Sequence, residues 1–172
     1  SASASPLNTF KFYAGEGGIR SPLIISGVAG TARNQIHDGL THVTDILPTL
    51  LDVARVTRPG TSFQGQPIEP PTGRSLAPVL ADPALRVRSA DEPLGYELSG
   101  NKALFKGDLK IALNNPPMGD GRWHLYDLRA DPGETKDLQQ QRPQEFAAMQ
   151  AAYAVWAKAN GVLPMPDGYN PV

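Results

Sequence analysis

The sequence predicts an α+β fold: a small four-stranded antiparallel sheet with a packed carboxy-terminal helix, preceded by a strand and a helix that need something more to pack on. Three observations carry this. Between residues 94 and 128, four short apolar segments follow one another, the first three at hairpin spacing. Residues 143–160 then place large apolar side chains at three- and four-residue intervals. Residues 1–55 offer only one strand and one helix, which bury too little apolar area to offset their own chain entropy.

Residues 1–10 are small and polar and read as loop. The Ser1–Ser5 run has no charged stretch followed by an apolar one, so it reads as a flexible lead-in rather than a signal peptide. Gly15, Gly17 and Gly18 permit close backbone approach. Ile19–Ser26, with Pro22-Leu23-Ile24-Ile25 at its centre, reads as a short buried strand bounded by glycines. Val43, Ile46, Leu47, Leu50, Leu51 and Ala54 recur at helical spacing and make one apolar face. Pro48 suits a helix that starts near Asp45, because it then falls in the first turn, where a missing N–H costs little.

Residues 56–93 are proline-rich and read as a long connection with one helical turn near Ser75–Leu80. The strands expected next are Leu94–Leu98, Lys102–Phe105, Leu109–Leu113 and Trp123–Leu128, with Ser-Gly-Asn and Lys-Gly-Asp as hairpin turns. After Asp131-Pro132-Gly133, a helix is expected over Pro143–Asn160, with Pro143 at its first position and Gly161 just past its end. Its stripe of Phe146, Met149, Tyr153 and Trp156 should pack on the sheet. The chain thus divides into residues 1–55, 56–93 and 94–172.

Composition narrows the function. The net charge of −1 draws the chain neither to nucleic acid nor to an acidic membrane surface. Its longest apolar runs fall far short of the roughly 20 residues a spanning helix needs. Gly and Pro number 17 each, together about a fifth of the chain, against about 12% in ordinary usage, which predicts many turns. The clusters Arg86-Val87-Arg88 and Lys106 with Lys110 read as solvated. Without cysteine there is no disulfide, thiolate metal site or cysteine nucleophile.

No serine-hydrolase elbow, phosphate loop, His-Glu-x-x-His or dinucleotide fingerprint is present. His37, His42 and His124 are dispersed: His42 reads as structural, His124 as facing solvent or an interface. Lys11 is the one candidate site residue. It precedes the glycine-rich stretch, and an ammonium beside unpaired backbone N–H groups makes an anion site.

Longer motifs then bear on that candidate. Lys11-Phe12-Tyr13-Ala14-Gly15-Glu16-Gly17-Gly18-Ile19-Arg20-Ser21-Pro22 resembles the sulfatase segment in which a lysine precedes a Glu/Gln-Gly-Gly-Ile/Val-Arg-x-Pro motif. In the family's order follow Thr41–Asp52, resembling its Asp-x-x-Pro-Thr-Leu-Leu helix, and Gly73-Arg74-Ser75-Leu76. Trp123–Leu128 with Asp131-Pro132-Gly133-Glu134-Thr135 then resembles its final strand and turn.

The resemblance implies an alkaline-phosphatase-like fold. Residues 1–55 would close the catalytic α/β domain, and residues 94–172 would be the carboxy-terminal subdomain. Lys11 takes the place of the lysine that contacts the substrate's sulfate. The family's nucleophile is a formylglycine made in a Cys/Ser-x-Pro-x-Arg motif, and calcium is held by upstream aspartates. Neither is identifiable here, so calcium and formylglycine are implied for the intact enzyme, and none is expected to be bound by this chain. Asp45 and Asp127 hold structural places in their motifs.

The expected function is therefore the carboxy-terminal part of a sulfuric ester hydrolase of arylsulfatase type, inactive alone and acting on a sulfate ester when intact. Two alternatives stand beside it: a non-catalytic binding module derived from the fold, and part of a phosphate or phosphonate ester hydrolase of the same superfamily. An unpaired Ile19–Ser26 edge would further favour strand pairing or a homo-oligomer.

Overall fold

The computed structural model describes residues 4–166; the loop expected at residues 1–3 lies outside them. In chain order the elements are α1 (Glu16–Ile19), a 3₁₀ turn (Val43–Asp45), α2 (Ile46–Val53), β1 (Ser62–Phe63), β2 (Gln66–Pro67), α3 (Ala77–Ala81), β3 (Leu94–Leu98), β4 (Asn101–Lys106), β5 (Leu109–Leu113), β6 (Trp123–Asp127) and α4 (Pro143–Ala159). They fall into two compact units. One holds the described residues up to Pro22 and from Ala90 onward; the other is Leu23–Ser89.

In the first unit, β3-β4-β5-β6 form an antiparallel meander in sequence order. Tight turns set its register: Leu98 pairs with Asn101 and Lys106 with Leu109. Because side chains alternate across a strand, one face of the sheet carries Leu104, Ile111 and Leu125, all fully buried. Against them lie Met149 and Tyr153 of α4, with Phe146 and Trp156 packed alongside. This is the expected stripe. Each fully buried aliphatic side chain contributes about 1.5–3 kcal/mol. The Trp123 and Tyr153 rings meet edge to face at 4.9 Å. Gly95 makes room for Trp156, since a Cβ there would lie 2.1 Å from the indole.

The opposite face carries Phe105, Lys110 and Tyr126 in one row and Ala103, Ala112 and His124 in the next. Ala103, Phe105, Lys110 and Ala112 are buried there too, so the sheet is covered on both sides. Residues 8–19 contribute to that second cover through side-chain and backbone bonds described below.

The expected strand Ile19–Ser26 does not form. Ile19 ends the short helix α1, and no residue of 20–26 enters a ladder. A strand needs a partner for its N–H and C=O groups, and none is present among the described residues. The edge on which strand pairing was expected is therefore not formed. Ile24 stands 91% exposed.

In the second unit α2 starts at Ile46, directly after Asp45, and Pro48 falls in its first turn as the sequence requires. The helical turn near Ser75–Leu80 is α3, Ala77–Ala81. A two-residue hairpin, β1-β2, punctuates the connection at Gln64-Gly65. The burial of α2 and of the 3₁₀ turn before it is inverted relative to the apolar pattern. Asp45, Pro48 and Thr49 are buried, whereas Val43, Ile46, Leu47, Leu50 and Val53 are exposed.

Candidate functional site

Lys11 stands exposed on the segment between Asn8 and Ile19, and no hydrogen bond or ion pair joins it to another described residue. The backbone around it is unusual. Thr9 has φ +63° and Phe12 has φ +92°, the latter costly for an aromatic residue and sustained only where the surroundings over-determine it.

The surroundings do so. The Gly17 amide donates to the Asn8 carbonyl at 2.7 Å, and Tyr13 N–H to the Phe10 carbonyl at 3.2 Å. Buried Asn101, at the start of β4, donates its side-chain amide to the Phe12 carbonyl at 3.2 Å. The Ala14 amide donates to Asn114 Oδ1 at 2.6 Å. Gly15 must be glycine here, because a Cβ would come 2.4 Å from Thr9 Oγ1 and 2.8 Å from the Asn8 carbonyl.

Beneath this segment lies a buried charge cluster. Lys110, on β5 and fully buried, places Nζ 2.8 Å from Glu16 Oε1 and 2.7 Å from Glu134 Oε1. Glu16 opens α1 inside the glycine-rich motif; Glu134 lies in the turn after β6. The Glu16 amide donates to Glu134 Oε2 at 2.8 Å, so the two carboxylates and the backbone are cross-tied. The Phe105 ring sits 4.9 Å from Nζ, a cation–π contact in a dry setting. Arg20, half exposed, adds a longer contact of 3.9 Å to Glu16. Lys110 is thus not the solvated residue its sequence neighbourhood suggests. It stands between Phe105 of β4 and Tyr126 of β6, on the covered face of the sheet opposite α4.

The second unit has its own polar hub. Asp45 is fully buried. Its carboxylate accepts from the His42 amide at 2.7 Å, the Arg74 amide at 2.8 Å, and both Arg88 terminal nitrogens at 2.7 and 2.6 Å. Burial opposes the ionised form, but Arg88 and the two amides outweigh it, and the Asp45 pKa is lowered. Thr49 donates to the Asp45 carbonyl at 2.6 Å and accepts from the Leu76 amide at 2.8 Å. Gly73 passes so close that a Cβ would lie 2.0 Å from the Thr44 carbonyl. The Asp, Pro-Thr and Gly-Arg-Ser-Leu motifs therefore form one structural knot. Arg88, read from sequence as solvated, has a side chain only 7% exposed.

His42 is structural as expected: its ring accepts weakly from Thr44 N–H at 3.4 Å at the head of the 3₁₀ turn. His124 sits between two carboxylates, Nδ1 2.7 Å from Asp137 and Nε2 3.0 Å from Asp120. Burial disfavours its charged form, yet the hydrogen bonds and charges of the two aspartates prevail, and its pKa is raised. A raised folded-state pKa gives stability that is fully present below the unfolded value, about 6.5, and is lost as pH rises through the folded one. The melting temperature should accordingly fall as pH rises above about 6.5. In His124→Gln that step should flatten, and an unchanged step would show that the ring does not bear the charge.

No cluster of three or more His, Asp or Glu side chains among the described residues could hold a metal ion, and the sequence has no cysteine. The described residues therefore do not fit calcium, and the sequence holds no Cys/Ser-x-Pro-x-Arg motif from which formylglycine would be made. No described helix is long and apolar enough to cross a membrane.

An α+β module with a strained, lysine-bearing loop locked onto its sheet is what the geometry defines. Comparison with known proteins places it further. The chain is 34% identical over 169 residues to an uncharacterized sulfatase of Schizosaccharomyces pombe, a match covering 98% of this chain and 30% of that protein. Its fold superposes with a TM-score of 0.69 on the Bacteroides thetaiotaomicron protein BT33336S-sulf, at 20% identity, covering 88% of this chain and 32% of that one. A TM-score of 0.70 relates it to Ps i-CgsB, at 18% identity, covering 89% and 32%. No family model matches. The chain spans about a third of the length of these relatives. In sequence and in fold it is similar to the carboxy-terminal portion of a sulfatase.

Proposed function

We propose that this chain is the carboxy-terminal part of a sulfuric ester hydrolase and that it contributes Lys11 to the binding of the substrate's sulfate. The observation that carries the reading is the uncommitted Lys11 ammonium on a strained, cross-tied loop, within a chain that matches a sulfatase along almost its whole length. An exposed cation without a counter-charge has no existing ion pair to break before it meets an anion. Its role is to neutralise charge on the sulfuryl oxygens and on the leaving oxygen as the S–O bond breaks.

The exposed apolar side of α2 supports the rest of the reading. Leu50 is 60% exposed and Val43 70%, in a stripe with Ile46, Leu47 and Val53. Patches of this kind mark surfaces that are covered in the working protein, and here the cover would be the remainder of the α/β domain. Nucleophile and metal ligands would come from that remainder, so the isolated chain should be inactive. A related protein, BT33336S-sulf, is described in connection with the metabolism of multiple glycosaminoglycans, which makes carbohydrate sulfates one substrate class to include.

The test is kinetic. A full-length protein carrying this chain should hydrolyse at least one of an aryl, an alkyl and a carbohydrate sulfate, while residues 1–172 alone should not. Lys11→Ala should lower kcat/KM by about 10²-fold or more, the scale of losing one charge-stabilising donor. Lys11→Arg should recover part of it. Unaltered kinetics in Lys11→Ala would remove the lysine from the site, and a preference for phosphate esters would move the protein to the related hydrolase class.

A further inference from the structure

We infer that Lys110 is a positioning residue for Lys11: its buried pairing with Glu16 and Glu134 holds the Lys11 loop in the conformation that meets the anion. The inference rests on the proposed role of Lys11 and extends it to a residue on a different element.

Three observations support it. First, Lys110 grips both ends of the arrangement, Glu16 in the glycine-rich motif at 2.8 Å and Glu134 in the turn after β6 at 2.7 Å. Those two motifs lie 118 residues apart and are bonded directly, Glu16 N–H to Glu134 Oε2. Second, all three side chains are almost wholly withdrawn from water, at 0%, 6% and 0% exposure. The cluster therefore has no freedom to trade partners with solvent, as exposed ion pairs do. Third, the loop it anchors is strained on both sides of Lys11, at Thr9 and Phe12, and would relax if its anchors were cut.

A buried ion cluster is a poor way to gain stability, because desolvation cancels most of the attraction. An apolar residue at Lys110 with neutral partners would fill the space as well. What the charges add is direction. Lys110 fixes Glu16, Glu16 begins α1, and the residues immediately before α1 continue into the tied backbone that carries Lys11. Lys110 itself is fully buried, so its effect on an anion is exerted through the loop.

The discriminating experiment is a double-mutant cycle in the full-length protein, with hydrolysis of the aryl, alkyl and carbohydrate sulfates as the readout. Lys110→Met leaves two carboxylates without their cation and can compromise folding. The cycle is therefore also built on the charge-neutral triple variant Lys110→Met, Glu16→Gln, Glu134→Gln, which retains an acceptor for the Glu16 amide. The triple variant should fold with an unchanged circular dichroism spectrum and lose about tenfold or more in kcat/KM. In a Lys11→Ala background the same substitutions should cost little further, because the group being positioned is already gone. Equal, additive losses in both backgrounds would overturn the positioning role and leave Lys11 in place. A silent Lys11→Ala, or a wild-type protein inert toward all three esters, would overturn both readings together.

Discussion

Lys110→Met should destabilise the sheet-bearing unit by about 3–5 kcal/mol, the cost of removing one partner from a buried ion cluster. Glu16 and Glu134 would keep their desolvation penalty and lose the cation that offsets it, while their own charges would repel. Loss of aliphatic contact is a lesser part, because methionine replaces most of the lysine stem. The charge argument makes a second demand. Adding Glu16→Gln and Glu134→Gln to Lys110→Met should restore most of the loss, since a neutral cluster no longer carries buried charge. Urea unfolding of the three proteins measures both steps. If the triple variant were as unstable as Lys110→Met, the cause would be packing around Phe105 rather than electrostatics.

How legible this was in the sequence depended on whether a signal was local. The four strands and α4 could be read because alternation, hairpin glycines and the Phe146-to-Trp156 stripe act within a few residues. The observed bounds of β3 and β5 coincide with those expected from the pattern. The strand at Ile19–Ser26 failed for the complementary reason: an apolar run announces burial, and only partner strands make it a ladder. Lys11 could be singled out because glycines adjoin it in sequence, and the motif order then strengthened the resemblance.

Lys110 could not be singled out. Its partners lie 94 and 24 positions away, and a lysine on a strand next to Leu109 and Ile111 looks the same whether its face meets water or a glutamate. One signal was available in principle. With Ile111 facing the helix, strict alternation sends Lys110 to the other face, and Ala103 and Ala112 on that face are too small and apolar for a solvated surface. The glutamates were likewise present in the motifs, but nothing local says that one lysine serves both. Arg88 was hidden in the same way, 43 residues from its carboxylate.

Arg88→Met is expected to cost the Leu23–Ser89 unit about 3–5 kcal/mol as well, and it tests the knot that joins three sequence motifs. Asp45 would retain two backbone donors, the amides of His42 and Arg74, but lose a bidentate guanidinium, the strongest type of partner for a buried carboxylate. Asp45→Asn should be similarly damaging, because its amide nitrogen would face donors where the carboxylate presents only acceptors. Acid offers the independent check. The Asp45 pKa is lowered in the folded chain, chiefly against its burial and through Arg88. Its stabilising contribution is therefore present above the unfolded value, about 3.9, and lost as pH falls through the folded one. The wild-type chain should lose stability in that acidic window, and Arg88→Met, already without the pair, should lose less. If both proteins responded to acid alike, the Asp45–Arg88 pair would not be what holds this unit together, and the meeting of the Asp, Pro-Thr and Gly-Arg-Ser-Leu motifs would rest on the Thr49 hydroxyl and the backbone amides instead.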